Sequence, residues 1–509
     1  MMKLKRVLAI LFASVFCFMF AGCEVFGFGT AKPSSSSHVH TLEKFEGQAP
    51  TCLAVGTREH YYCKGCSQYF LDEAATQAVA WDDIKLAKLA HKNMQHNASV
   101  TPTLTTDGQV EHWYCPDCGN YYLDKKATVK TTQADVIVQA GTWEPDFVVE
   151  VPAERDAIVL QLTDTQIIDG AQSRPTQSSG DKTTYATEKI PQYCYDYVEE
   201  TVEATNPDLI ILTGDLVYGK YDDNGSALQG LIALMESFEI PWAPVFGNHE
   251  NESAMGADWQ CQQLENAEYC LFKQRELTGN GNYTVGIKQG DALTRVFVML
   301  DSNGCGDASA QSTANGHTKT SAGFGNDQIA WYTKEIFTLK MYHPTAKVSF
   351  AFHIQLSVFA SALSSYGGAS SGNDQNIWVN SGKNFGHIGR PIKSTWDKDN
   401  AVFNGMKSLG ADSIFVGHEH CNSASIVFQG VRLQYGQKSS EYDRFNVVTG
   451  ENKVVAGYLY STVRKNGTPL VGGTVIVLSQ ADGAIKDAYI YYCENAGGKL
   501  DWEKILTQN

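Results

Sequence analysis

The sequence predicts an α/β protein built on a largely parallel or mixed sheet covered on both faces, with two small cysteine-bearing repeats ahead of it. Three observations carry that prediction. From about residue 145 onward, continuous apolar runs alternate with stretches of helical spacing, the pattern of strands buried on both sides. Hydrophobic residues make up 43% of the chain and charged residues 19%, the balance of a protein that buries a core. Ahead of residue 145, one cysteine pattern occurs twice in register. At 509 residues the chain has room for about two or three domains.

Residues 1–22 read as a signal peptide rather than as fold. Lys3, Lys5 and Arg6 make a basic start, Val7 to Phe20 is apolar, and Ala21-Gly22 are small. The apolar stretch is short for a membrane span. The ending Phe20-Ala21-Gly22-Cys23 resembles the bacterial lipobox. That resemblance implies a lipid on Cys23 and attachment to the outer face of the cell membrane. A plain secretory signal followed by an unrelated cysteine is the alternative, and either places the mature chain outside the cytoplasm. Residues 23–37, rich in Gly and Ser, read as a flexible tether.

The repeats occupy residues 38–89 and 90–144. Gly56 to Asp72 aligns without a gap on Gly108 to Asp124, so that His112, Cys115 and Cys118 each stand 52 residues after His60, Cys63 and Cys66. Paired thiolates at this spacing suit one side of a tetrahedral zinc. Cys63, Cys66, Cys115 and Cys118 are therefore candidate structural zinc ligands. His38, His40 and Cys52 are candidates to complete the first copy, and His91 or His96 the second. Leu104 replaces Cys52 in the second copy, which argues against Cys52 as an essential ligand. Disulfides, which an extracytoplasmic location permits, and free thiols are the alternatives. The modules resemble small zinc-ribbon-like repeats of bacterial surface proteins.

Residues 145–509 form the main domain. Buried strands are predicted over Ala157–Thr163, Asp208–Thr213, Pro244–Phe246, Arg295–Leu300, Lys347–Phe352 and Asp412–Val416. Helices are predicted over Glu188–Thr205, Ala227–Phe238 and Asp327–Leu339, the last capped by Asn326. Ser364 to Asn384, rich in Gly, Ser and Asn, reads as a loop. Beyond Ile426 the pattern turns to strands and glycine-rich turns, at Ile426–Tyr435, Lys453–Val463, Thr474–Leu478 and Ala488–Tyr492. These are placed in a second sheet of the same domain.

Five strands end in residues of one chemical type. The motifs are Asp164-Thr165-Gln166, Gly214-Asp215, Gly247-Asn248-His249-Glu250, His353 and Gly417-His418-Glu419-His420. In an open α/β sheet the carboxyl ends of strands converge on one crevice. Carboxylate, amide and imidazole groups meeting there suit a pair of metal cations, which polarise a phosphate and make hydroxide from water.

Taken together and in this order, the five motifs resemble the calcineurin-like metallophosphoesterase superfamily over roughly residues 150–490. The stretch Leu433 to Tyr442 further resembles the branch near the yeast Dcr2 phosphatase and bacterial relatives of purple acid phosphatases. The resemblance implies a four-layer αββα sandwich and phosphate-ester hydrolysis by hydroxide held between two metal ions. It implies Asp164, Gln166 and His420 on the first metal, Asp215 bridging both, and Asn248, His353 and His418 on the second. His249 would be catalytic rather than a ligand, stabilising the phosphoryl group or protonating the leaving oxygen. Gln166 departs from the usual His, and a neutral amide oxygen shifts preference toward Mn or Fe over Zn. Tyr218 sits where purple acid phosphatases place an iron-binding Tyr; an ordinary packed aromatic is the alternative.

A net charge of −16 argues against nucleic acid as a partner. The expected partner is a phosphorylated substrate, of which neither the class nor the choice of monoester or diester is legible; nor is the oligomeric state. His317 and His387 read as surface histidines, Arg390 as a possible phosphate contact, and Cys261 with Cys270 as a possible pair. The rival reading is a surface binding protein whose repeats attach to glycan or protein while the main domain serves as a scaffold.

Overall fold

The computed structural model describes residues 39–169, 190–222, 224–304, 321–369, 371–372, 375, 377–392, 396–397, 400–440 and 471–493. The signal peptide, Cys23, the tether, His38, His317 and the strand expected over Lys453–Val463 lie outside these residues. The chain divides into two compact units, 1–90 and 91–509.

The first unit holds a four-stranded antiparallel sheet of Leu42–Phe45, His60–Cys63, Gln68–Phe70 and Ala78–Val79, with Gly56–Thr57 paired to Lys85–Leu86. The second unit begins with the same design. Gln95–Asn97, His112–Cys115, Asn120–Tyr122 and Lys130–Thr131 form its sheet, and Gly108–Gln109 pairs with Ile137–Val138. Each CxxC turn closes on itself, Ser67 N donating to Cys63 O and Gly119 N to Cys115 O, both at 2.8 Å. Ser67 and Gly119 both take left-handed backbone, at φ 56° and 70°.

Among the described residues, fourteen strands of the main domain make two sheets. They are β1 (Phe147–Val151), β2 (Ala157–Leu162), β3 (Leu209–Leu212), β4 (Trp242–Pro244), β5 (Tyr283–Gln289), β6 (Ala292–Met299), β7 (Lys347–Ala351), β8 (Ile377–Ser381), β9 (Asn384–Ile388), β10 (Ala411–Val416), β11 (Ser425–Phe428), β12 (Val431–Tyr435), β13 (Gly472–Leu478) and β14 (Ile485–Tyr492). The nine-stranded sheet runs β1-β5-β6-β7-β10-β12-β11-β9-β8, and the five-stranded sheet β4-β3-β2-β13-β14. Parallel runs form the centre of the larger sheet (β6, β7, β10 and β12) and one side of the smaller (β2, β3 and β4).

Alternation along the strands explains the layers. Val296, Val298, Val348, Phe350, Ile414 and Val416 face a cluster that includes Ile336 and Leu339 of α4 (Asn326–Tyr342), Val358 and Phe359 of α5 (Ser357–Ser364) and Phe403 and Met406 of α6 (Ala401–Ser408). Their neighbours Phe297, Met299, Ala351 and Phe415 face the other way, into a cluster shared with β2, β3 and β4. That cluster also takes in Val198 and Val202 of α1 (Ile190–Thr205), Leu228 and Leu231 of α2 (Ser226–Ser237) and Leu264 of α3 (Ala257–Glu265). Both faces of each strand are buried, hence the unbroken apolar runs. The result is the mixed, sheet-rich α/β sandwich that the sequence predicts.

Three expectations need correction. The end of the segment expected as a loop over 364–384, from Ile377 on, is instead the start of the edge hairpin β8–β9, whose apolar residues Ile377, Val379 and Phe385 are hidden among Asn, Ser and Gly. The single strand expected over Ile426–Tyr435 is a hairpin that turns at Gln429-Gly430, both at positive φ. Among the described C-terminal strands, β13 and β14 join the smaller sheet, whereas β11 and β12 join the larger one. In addition, α4 starts one residue early: Asn326 is already helical, and Gly325 N is satisfied by Gln328 Oε1 at 2.8 Å.

The second repeat docks on α4 within its own unit. Val110, Leu123, Val136 and Val138 bury against Ala330 and Phe337. Trp143 Nε1 donates to Glu335 at 2.9 Å, and Tyr342 Oη to Gly141 O at 2.9 Å.

Candidate metal centre

The loops after β2, β3, β4, β7 and β10 meet at one point. Backbone hydrogen bonds stitch them together: Asp164 N to Gly214 O, Gln166 N to Asp215 O, and Gly417 N to His353 O. Asp164, Gln166, Asp215 and His418 all take positive φ, between 44° and 73°. Such backbone costs about 1–3 kcal/mol per residue and persists where its surroundings impose it. Here it turns Asp164, Asp215 and His418 inward and lays Gln166 alongside Asp215. Gly214 is required because a Cβ would come within 2.6 Å of the His353 ring. Gly247 is required because a Cβ would strike the Asp215 carboxylate.

Two overlapping ligand groups result. Asp215, His353 and His418 offer atoms within 4.8 Å of one another, and so do Asp164, Asp215 and His420. His353 Nε2 lies 3.2 Å from Asp215 Oδ2, and His420 Nε2 lies 3.3 Å from Asp164 Oδ1. His353 Nδ1 is engaged by Thr213 O at 2.8 Å, which turns Nε2 toward the carboxylates. Asn248 Oδ1 is buried without a hydrogen-bond partner among the described residues, and the equally buried His353 Nε2 faces the Asp215 carboxylate. Buried polar atoms of this kind call for a partner.

The electrostatics favour a cation. Burial pulls His353 down, yet the carboxylates of Asp215 and Asp164 push it up to about 10. The field that holds a proton there would hold a metal ion equally. Burial would raise Asp164, but His420 and His353 bring it to about 2. Asp215 is likewise lowered despite its burial, chiefly by His353 and His249. His418 is pulled down to about 4 by burial and by the charge of His353, leaving a neutral imidazole. Carboxylate oxygen, amide oxygen and imidazole nitrogen together fit a pair of divalent cations.

His249 stands at the rim. Its Nε2 is 3.9 Å from Asp215 Oδ2, and its Nδ1 is held by Glu252 at 2.6 Å. Burial would lower it, but Asp215 and Glu252 raise it to about 9. Glu250 fixes the loops beneath, accepting from Gly247 N at 2.6 Å and Val217 N at 3.2 Å. Tyr218 packs edge-on against His249, with ring centroids 4.3 Å apart.

Gln166 is placed differently from its neighbours. Its Nε2 faces Asp215 Oδ2 at 3.3 Å, and its Oε1 accepts from Lys438 Nζ at 3.0 Å. Glu252 carries no signal in strand or motif spacing, and Lys438 lies within the Leu433–Tyr442 stretch, where the resemblance gives it no role. His387, expected at the surface, is fully buried with Nδ1 3.3 Å from Cys421 O. Arg390 is tied to Asn422 through its backbone. Cys261 and Cys270 remain separate thiols.

In the repeats, Cys63 and Cys66 gather with His40, whose Nδ1 is 3.5 Å from Cys66 Sγ. Cys115 and Cys118 gather with His91, whose Nδ1 is 3.3 Å from Cys115 Sγ. All four cysteines are thiols rather than disulfides. His96 pairs instead with Glu111 at 2.7 Å. His60 and His112 direct Nδ1 to the backbone oxygens of Arg58 and Val110, both at 2.9 Å.

Residues 158–422, just over half of the chain, match the family model described as calcineurin-like phosphoesterase. The chain is 24% identical over 310 residues to a protein named probable inactive purple acid phosphatase 29 of Arabidopsis thaliana, spanning 55% of this chain and 70% of that protein. It is 31% identical over 80 residues to phosphatase DCR2 of Saccharomyces cerevisiae, 15% of this chain and 14% of that one. Among solved structures it is similar to a dimetal phosphatase from Danio rerio, at TM-score 0.31 and 13% identity, covering 58% of this chain and 88% of that one.

Proposed function

This chain belongs to the calcineurin-like phosphoesterase family, which makes it a phosphoric ester hydrolase, and on that premise we propose a two-metal centre at the strand ends as its catalytic site. The observation that carries the proposal is the convergence of the Asp164 and Asp215 carboxylates with the His353, His418 and His420 imidazoles in two overlapping groups, with Asn248 Oδ1 buried and unpaired in the loop that packs on Asp215. Asp164 and His420 would hold the first ion, Asn248, His353 and His418 the second, and Asp215 both. When bound, the ions supply Lewis-acid polarisation of the phosphoryl oxygens.

The chain's own residues do the rest. Thr213 O orients His353, and the Glu250 carboxylate keeps the Gly247 turn against Asp215. Glu252 fixes His249 through Nδ1, leaving Nε2 to donate a proton to the leaving oxygen. The partly open position of His249 at the rim suits a group that meets substrate.

In each repeat, the paired thiolates and one imidazole hold a structural zinc, which they suit in softness. A lipid on Cys23 anchors the mature chain outside the cytoplasm. The test is hydrolysis of p-nitrophenyl phosphate and bis(p-nitrophenyl) phosphate after stripping and reloading with Mn, Fe or Zn. Metal-dependent turnover that Asp215→Asn abolishes supports the reading, and the faster ester identifies the class. Absence of metal binding overturns it in favour of the surface-binding role.

A further inference from the structure

We propose that Lys438 holds Gln166 off the first metal position and places a fixed positive charge behind it, so that this position takes a divalent ion weakly and disfavours a trivalent one. The proposal rests on the two-metal reading above.

The residues after β12 run alongside the Asp164–Gln166 loop. Ser439 N donates to Thr163 O at 3.0 Å, Thr163 N to Ser439 Oγ at 3.0 Å, and Ser440 Oγ to Thr165 O. Lys438, only 1% exposed, lies between them. Its Nζ donates to Asp164 O at 2.8 Å and to Gln166 Oε1 at 3.0 Å. An ammonium can only donate, so the amide oxygen must face Lys438 and the amide NH₂ must face Asp215. Gln166 thereby presents a donor, not a ligand atom, toward the bridging carboxylate.

Burying an ammonium is costly unless nearby negative charge offsets it. The Gln166 amide links it to such charge, its Nε2 lying 3.3 Å from Asp215 Oδ2. Lys438 thus answers part of the demand for positive charge that a metal would otherwise meet. The first position keeps Asp164, Asp215 and His420. The second keeps four candidate ligands, among them the unpaired Oδ1 of Asn248.

Mn²⁺ titration of the metal-stripped full chain, followed by electron paramagnetic resonance, tests this. Mn²⁺ suits oxygen and imidazole ligands and leaves the thiolate sites of the repeats aside. The expected result is one tight ion, with a second at least about tenfold weaker, the size of effect an outer-shell group exerts on a metal. The spin-coupled signal then appears only at excess Mn²⁺. Lys438→Met brings the second ion to within about threefold of the first, whereas Lys438→Arg, which keeps the cation, does not. Gln166→Ala leaves the weaker ion within about threefold of wild type, a reading that holds even if Lys438→Met fails to fold. Two equally tight ions in the wild type, or a tenfold loss in Gln166→Ala, overturns the proposal while leaving the two-metal reading intact. No Mn²⁺ bound at all overturns both.

Discussion

The cysteine repeats and the strand-end centre both gather ligands, but they reach the arrangement by opposite means. In a repeat, Cys63 and Cys115 end four-residue strands while Cys66, Cys118, His40 and His91 lie in turns and loops, and few apolar side chains are buried in the first copy beyond Cys63, Phe70 and Ile84. At the strand ends, five loops are held by two sheets, by backbone hydrogen bonds between the loops, and by Glu250 and Thr213. The lesson is that an ion in a repeat would stand in for a core, whereas an ion at the centre would be a guest of a scaffold that already stands.

Four experiments break or sharpen that contrast. The largest effect is expected from zinc removal, because structural zinc supplies about 10 kcal/mol or more to a small module. Chelation of the full chain should expose residues 39–144 to limited proteolysis while the main domain survives as one fragment. Equal resistance with and without chelator would break the comparison.

Next comes Asp215→Asn. Loss of several kcal/mol of transition-state stabilisation should lower turnover by at least about a thousandfold. The thermal midpoint should move little, since the loops keep their other ties. A variant that unfolds would show that the centre, too, depends on its carboxylate for folding.

Asp146→Asn probes the scaffold away from any ligand. Asp146 accepts from Lys273 at 2.7 Å, Arg275 at 2.6 Å and Thr284 N at 2.9 Å. Burial opposes its ionisation, but Lys273 and Arg275 prevail and lower its pKa below the ordinary 3.8. A depressed carboxylate stabilises the fold above its unfolded pKa and loses that contribution as the pH falls through the folded value. The variant should cost about 3 kcal/mol at neutral pH. The gap from wild type should close below the ordinary carboxylate range, as a pair of urea melts at neutral and acid pH would show.

The smallest expected effect is that of His249→Ala, about a hundredfold in turnover with bound metal unchanged. A weaker leaving group should deepen the loss and a better one relieve it. An equal loss for both would remove His249 from proton transfer.

Much of the domain was legible because its signals are local. An apolar run that ends in Asp, Asn or His states both a buried strand and what stands at its mouth, and this holds for Asp164, Asp215, Asn248, His353 and His418. The hairpin β8–β9 was hidden because an edge strand with Asn and Ser on its open face has little apolar alternation to show. His387 read as a surface residue because nothing nearby in sequence marks it as buried. It is buried because β9 pairs with β11, a partner about 40 residues away.

The two repeats make the same point on a smaller scale. Their shared His, CxxC and aromatic residues announce one fold twice. Val110, which docks the second copy on α4, aligns with Arg58 in the first.

Residue type and spacing were enough to establish the α/β class, the five strand-end motifs, the phosphoesterase family and the repeated cysteine module. Each of these depends on neighbours within a few residues, or on an order of motifs that survives without knowledge of distance. The folded chain alone revealed that Glu252 holds His249, that His40 and His91 join the thiols, and that Lys438 turns Gln166 away. Lys438 is 272 residues from Gln166 along the chain and 3.0 Å from it in space. Contacts of that kind arise only when two loops from different sheets close on each other.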